Sequence, residues 1–263
     1  MKPADYHLHS EYSMDSREKI ENLCVKAVSE GIREIAITDH AEMQKPEELP
    51  DFKTRIEEIK HLNHCFDGSV LVKSAMEIGQ AHRYSNESEN LISNHYFDFI
   101  IGSLHEVERF GSPSCFVFTA ETVEEYFAQY FKELKRIAET VDYDVLAHVT
   151  YPFRYVPEEL YQRYNPVYYA AEFQHIFEIA IQRGKGIEIN CSGLRTRLKE
   201  TMPPLALLEM FKKLGGTIVT VGSDGHSARS AFSGIEEGYD LLRAAGFTQY
   251  ATFTARNCKL VNL

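Results

Sequence analysis

Seven short apolar runs of strand character, at about 4–8, 34–38, 70–76, 97–102, 144–148, 186–190 and 217–222, alternate with segments of helical period. That alternation limits the chain to a parallel sheet packed against helices. Six of the seven runs end in imidazole or carboxylate. His7 and His9 follow the first, His40 closes EIAITDH, Glu77 closes VLVKSAME and His105 closes FDFIIGSLH; His148 closes DVLAH, and Asp224 and His226 close TIVTVGSDGH. The strands of a β/α barrel all deliver their C-terminal ends to one face, where these side chains would meet. A doubly wound open sheet also carries sites at its carboxyl ends, but it spreads them along its width, too far apart to share ions. A barrel is therefore expected, and YATFT at 250–254 is the candidate eighth strand.

The intervening segments read as helices. Ile20, Leu23, Cys24, Ala27 and Val28 recur with helical spacing, with Ser16 as candidate N-cap and Gly31 as stop. Further helices are expected at about 51–65, 121–140, 167–183, 204–214 and 234–245. Nothing resembles a linker or an internal repeat, so one domain over 1–263 is expected, close to the roughly 250 residues of a typical barrel. No apolar run approaches bilayer length and the N-terminus lacks a signal-peptide core, which predicts a cytoplasmic protein with no membrane partner. Five scattered cysteines with no CxxC pair predict reduced thiols rather than disulfides or a thiolate zinc site. A formal net charge of −11 argues against long nucleic acids, which are gripped by many Lys and Arg. It leaves room for a small phosphorylated substrate, because ions and a few arginines can invert the field inside a cleft. Oligomeric state is not legible.

On a strand, His7 and His9 point to the same side at about 7 Å, close enough for two imidazoles to share one ion. Alone, such a pair is a common accident; the other strand ends give it weight. His7, His9, Asp15, His40, Glu77, His105, His148, Asp224 and His226 make nine candidate ligands. A catalytic zinc uses about three protein ligands, so the set implies two or three divalent ions. Asp39 is expected to support His40 from behind. His61, His64, His82, His95 and His175 are expected at the solvated surface, and Glu42 is expected to matter far less to turnover than Glu77.

Taken together, DYHLHS, ITDH, SAMEIG, GSLH, LAH and GSDGH resemble, in order and spacing, the polymerase and histidinol phosphatase (PHP) superfamily over nearly the whole chain. The resemblance implies a distorted (β/α)7 TIM-like barrel with a trinuclear site of Zn, Mn or Fe at the C-terminal face of the strands. It implies His7, His9, Glu77 and Asp224 on one ion, Glu77, His105 and His148 on a second, and Asp15, His40 and His226 on a third. Glu77, Asp224 and His226 are the expected catalytic side chains. EINCSGLR at 188–195 looks like a substrate-binding stretch of histidinol phosphatases, which points to Arg195; Arg154 is the other expected phosphate contact.

The size also matches stand-alone histidinol phosphatases. The activity implied is hydrolysis of L-histidinol phosphate to L-histidinol and phosphate in histidine biosynthesis, by a hydroxide that bridges two ions. Ser10, Ser103 and Ser223 lack the nucleophile elbow, so a covalent seryl route is poorly supported. Two other readings stay open. One is a PHP phosphoesterase acting on nucleotides or short oligonucleotides, for which Tyr151, Phe153 and Tyr155 beside Arg154 would serve as stacking surface. The other is a non-catalytic, metal-binding regulatory protein; the complete ligand set argues against it.

Overall fold

The structure is a computed structural model and describes residues 4–263. Its parallel staves run in the order β1 (Asp5–Leu8), β2 (Glu34–Ile37), β4 (Leu71–Gly79), β5 (Phe99–Ser103), β6 (Val145–Leu146), β7 (Gly186–Asn190) and β8 (Val219–Gly222). β3 (His40–Glu42) resumes the line of β2 and pairs with β4, with His40 opposite Glu77. The seven staves form a nearly closed, distorted TIM-like barrel, as the sequence predicted. Closure between β8 and β1 is made by loop backbone: Asp224 N–H donates to His7 C=O (2.8 Å) and His9 N–H to Gly225 C=O (2.9 Å).

Helices α1 (Ile20–Glu30), α2 (Phe52–Cys65), α4 (Val123–Thr140), α6 (Ala170–Gln182), α7 (Leu205–Lys213) and α8 (Ile235–Ala244) fall where helical spacing put them. α1 stops at Gly31, whose φ of 71° suits a left-handed cap. Its N-cap is Lys19 rather than Ser16, whose hydroxyl instead donates to the His226 carbonyl (3.0 Å) and ties two rim loops together. α3 (Ser85–Asn94) and the short α5 (Glu158–Tyr161) were not expected. α3 is SNESENLISN, whose sparse apolar residues give almost no periodic signal, and Ser88 is its one buried residue.

The candidate eighth strand does not join the barrel. β9 (Gln249–Thr254) pairs antiparallel with β10 (Asn257–Asn262) across the two-residue turn Ala255–Arg256, both at positive φ (48° and 66°), the geometry that matches hairpin twist. The hairpin covers the N-terminal mouth. Phe253 packs on Phe99 (centroids 4.9 Å apart) and its N–H donates to the Tyr6 hydroxyl (2.8 Å). It adds to a narrow interior of Ala36, Ala75, Ala147, Tyr6, Phe99, Ile101 and Val145. Arg256 bonds Asp144 (2.6 Å), Lys73 bonds Thr254 (2.7 Å), and Ala255 N–H bonds Asp98 (3.0 Å), all at strand starts. The floor is thus sealed, and the ligating side chains gather at the other end. Among the described residues, no helix is long and apolar enough to cross a membrane.

Candidate metal centre

All nine candidate ligands converge on the C-terminal mouth. Glu77, fully buried within β4, is their hub. Its Oε1 lies 3.0 Å from His105 Nε2 and 2.9 Å from His148 Nε2. Its Oε2 lies 3.2 Å from His7 Nε2, 3.6 Å from His9 Nε2 and 3.0 Å from His40 Nδ1. Asp224 Oδ1 faces His7, His9 and His226 at 3.5–3.7 Å. Asp15 Oδ2 reaches His40 Nε2 (3.3 Å) and His226 Nε2 (3.0 Å).

Four sets follow from these distances: His7, His9 and Asp224; Glu77, His105 and His148; Asp15, His40 and His226, with His9 close enough to join them; and His40, Glu42 and His105, which overlaps the second and third. Two of the positions are reached only by unusual backbone. Asp224 (φ 53°) and His148 (φ 23°) both lie in the region that L-residues seldom occupy, a strain that recurs where side chains must be aimed at a site.

The donor chemistry fits divalent cations. His105 Nε2 and His148 Nε2 are 3.3 Å apart, about the separation two imidazole nitrogens take when each lies roughly 2.0–2.1 Å from one tetrahedral ion. His40 Nδ1 is buried and makes no well-aligned hydrogen bond, although it faces Glu77 Oε2 at 3.0 Å. The outer nitrogens are engaged elsewhere: His7 Nδ1 with Glu188 Oε1 (2.6 Å), His105 Nδ1 with Glu42, His9 Nδ1 with Ser13 Oγ (3.3 Å) and His226 Nδ1 with the Asp224 carbonyl (3.2 Å). Each leaves Nε2 facing the cluster. With histidines neutral, Asp15, Glu42, Glu77, Glu188 and Asp224 carry five negative charges, which two or three divalent ions would offset.

Without ions, protons take up that charge. Burial disfavours charged His7, yet Glu188, Glu77 and Asp224 outweigh it and hold its pKa well above the ordinary value. His105 is likewise pushed up to about 10, burial being overcome by Glu42 and Glu77. Burial would raise Glu77, but His105, His40 and His7 bring it well below the usual carboxylate range. His9 goes the other way, lowered by burial and by neighbouring His226 and His40.

Several expectations need correction. Glu42 is buried and bonded to His105, and it lies 3.5 Å from His40, so it is part of the centre rather than a neutral neighbour. Asp39 does not back His40. It accepts from Ser10 N–H (2.6 Å) and from the buried Arg55 (3.0 Å), fixing the loop after β1. His82 is not solvated; it is buried with Nε2 on Glu133 (3.0 Å). Glu188 and Asn190 of β7 were missed, because a carboxylate inside EIN reads as ordinary strand polarity.

A cavity of about 240 Å³ opens over the cluster, walled by Asp15, His40, Glu77, His148, Tyr151 and Arg154. Arg154 stacks over Tyr151 (4.4 Å) and Tyr155 (4.9 Å) and donates to the Tyr155 hydroxyl (2.7 Å). Arg195 donates from Nη2 to the carbonyls of Ser223 (2.8 Å) and Asp224 (3.0 Å), so it braces the strained loop, and it lines an adjoining cavity with Arg154, Asp224 and His226. A larger cavity of about 830 Å³, between the loop that follows α5 and the helices α7 and α8, contains none of the nine ligands.

Known proteins are similar to this chain in sequence and fold. The chain is 30% identical to the histidinol-phosphatase of Lactococcus lactis subsp. lactis (strain IL1403), over 97% of this chain and 95% of that protein. It is 28% identical to a probable histidinol-phosphatase of Thermotoga maritima, over 94% of each. The crystal structure of L. lactis histidinol phosphate phosphatase, complexed with zinc, L-histidinol and phosphate, superposes with a TM-score of 0.84 at 25% identity, covering 98% of this chain and 99% of that one. A putative histidinol phosphatase of Listeria monocytogenes shares the fold, with a TM-score of 0.73 at 18% identity and coverage of 89% and 99%. The sequence profile of the PHP domain matches residues 5–192, from the first stave past the end of the sixth, β7, and on that match the chain belongs to the PHP domain family.

Proposed function

We propose that this protein is a metal-dependent phosphomonoesterase that hydrolyses L-histidinol phosphate in histidine biosynthesis. The observation that carries the metal chemistry is the division of Glu77, one oxygen toward His105 and His148 and the other toward His7 and His40. The substrate rests on the L. lactis relative, which holds zinc, L-histidinol and phosphate in a fold that this chain matches end to end. His7, His9, Glu77 and Asp224 would hold one ion, Glu77, His105 and His148 a second, and Asp15, His40 and His226 a third. Zinc, manganese and iron all suit these ligands. When bound, such ions neutralise the phosphate dianion and supply an activated water for in-line attack on phosphorus.

The chain's own side chains do the rest. Glu77 and Asp224 keep the donors converged, and His226 stands at the open rim, part-exposed and backed by Asp15. Arg154 faces the cavity and offers N–H groups to phosphate oxygens; Arg195 has N–H groups left beyond those spent on carbonyls. The five cysteines stand free, which suits the cytoplasm. The nucleotide reading loses ground, since Arg154 already covers the ring faces of Tyr151 and Tyr155 that a base would need.

A phosphate-release panel tests the reading. L-histidinol phosphate is expected to exceed nucleoside monophosphates and 3′,5′-bisphosphorylated nucleosides in kcat/KM by several powers of ten, and a phosphodiester to be poor. A nucleotide or diester turning over fastest would reject it.

The two arginines are expected to differ. A hydrogen bond to a charged group contributes roughly 1.5–3 kcal/mol, so Arg154→Met should lower kcat/KM about 10- to 150-fold at unchanged metal content. Arg195→Met should in addition lose metal, because it frees the loop that aims Asp224. Steady-state kinetics with elemental analysis on the same preparations separates the two; an Arg154 variant with wild-type kcat/KM removes that residue from phosphate binding.

A further inference from the structure

Two buried glutamates stand behind the cluster in matching ways. Glu42 bonds His105 Nδ1 while His105 Nε2 faces Glu77; Glu188 bonds His7 Nδ1 while His7 Nε2 faces the same carboxylate from the other side. In both, the second oxygen is filled by neighbours. Glu42 Oε2 accepts from Gln44 (3.1 Å) and, with the Gln80 amide turned to satisfy both its neighbours, from Gln80 (2.8 Å), whose oxygen then takes the Glu106 N–H (2.7 Å). Glu188 Oε2 accepts from the His148 N–H (2.9 Å) and from Asn190 (3.2 Å). Each carboxylate is thereby held on two sides and presents one fixed oxygen to one ring.

Each also sits in a space that a glycine leaves open at a strand end. A Cβ on Gly79, which ends β4, would meet the Glu42 carboxylate, Oε2 first and Oε1 at 2.6 Å; one on Gly222, which ends β8, would meet His7 Cβ first and Glu188 Oε1 at 2.6 Å. Neither glycine has positive φ, so what excludes a side chain is room and not backbone freedom: room for the Glu42 carboxylate at Gly79, and for His7 together with its Glu188 carboxylate at Gly222.

We propose that Glu42 and Glu188 are positioning residues of the metal centre, each fixing its histidine as the Nδ1–H tautomer with Nε2 toward Glu77, in a seat kept open by Gly79 or Gly222. The physical reason is that a neutral imidazole carries one proton: a carboxylate that accepts from Nδ1–H commits the lone pair to Nε2 and raises its donor strength. Paired on opposite sides of Glu77, the two glutamates aim one imidazole at each of its oxygens. The proposal rests on the metal-binding part of the function above and is independent of the substrate.

Zinc affinity, measured by competition with a chromophoric chelator, and imidazole 15N spectra of zinc-loaded, histidine-labelled protein are the readouts. Glu42→Ala and Glu188→Ala are expected to weaken zinc binding about 10- to 100-fold. The first should shift the His105 ring signals most, with a smaller change at His40, which Glu42 also faces at 3.5 Å, and the second those of His7. Glu42→Gln should recover much of the affinity, since its amide oxygen still accepts from Nδ1–H and the Gln44 and Gln80 amides can turn to receive its NH₂; Glu188→Gln should recover less, because its NH₂ would face the His148 backbone N–H. Gly79→Ala, which keeps Glu42 but displaces its carboxylate, should act like Glu42→Ala; it carries the test where an alanine variant does not fold. Unchanged affinity and ring signals in these variants would overturn the proposal. So would loss of one whole ion from Glu42→Ala with the His105 tautomer intact, which would make Glu42 a direct ligand. Wild-type protein that binds no zinc would instead sink the metal reading itself.

Discussion

Glu77→Gln is expected to remove most of the bound metal and nearly all turnover in one step. Glutamine keeps the length and shape of the side chain, so packing at this fully buried position is retained. What changes is the charge, and one oxygen becomes an NH₂ that points donor hydrogens where His105 and His148, or His7 and His40, present lone pairs. Removing one partner from a buried charge cluster costs on the order of 3–5 kcal/mol, or two to more than three powers of ten in affinity. Metal content and kcat should fall together on the same preparation. The fair control is an exposed glutamate such as Glu87 on α3, because Glu42 belongs to the centre. Glu77→Gln protein that keeps its ions and turns over within a few-fold of wild type would dislodge Glu77 from the bridge.

Protein purified without chelator is expected to carry more than one transition metal ion per chain, and chelation to abolish phosphate release until metal is returned. Loading should also release protons. His7 and His40 lie well above their ordinary pKa in the metal-free protein, burial being outweighed by Glu188, Glu77 and Asp224 for the first and by Glu77 and Asp15 for the second, and His105 lies at about 10. These groups are protonated at pH 7 and must deprotonate to act as ligands. Affinity should therefore rise with pH from neutrality toward about 10 and fall as pH drops. Calorimetric titration of the metal-free protein at pH 7, in buffers of different ionisation enthalpy, counts the protons. Fully active protein without metal would end the proposed mechanism, and loading without proton release would contradict the charge balance drawn here.

The barrel and the ligating face were legible because strand ends carry unusual residues in a regular pattern. His40, Glu77, His105 and Asp224 each close an apolar run, and that regularity is visible without knowing any contact. The supporting residues had no such mark. Glu188 lies inside a strand, where alternating polarity is ordinary, and Glu42 follows a histidine that drew attention to itself. Their partner signal is the pair of glycines at 79 and 222, which sequence alone reads as turn punctuation. His82 was misjudged for a related reason: its burial comes from α4, through Glu133, fifty-one residues away. YATFT had the right composition for a strand, but whether a last strand enters a barrel or folds back under it depends on the turn that follows, and Ala255–Arg256 is not a familiar hairpin dipeptide.

The hairpin beneath the barrel divides the labour of the molecule. Its anchors, Arg256 on Asp144 and Asp142, Lys73 on Thr254 and Phe253 on Phe99, touch no ligating side chain. The mouth carries the cost of chemistry in crowded carboxylates and in the positive-φ backbone that aims His148 and Asp224, while the positive-φ turn of the floor, Ala255–Arg256, serves the hairpin alone. Thermal robustness is consequently adjustable from the underside: substitutions that tighten or loosen the hairpin should move the melting temperature and leave the catalytic constants in place.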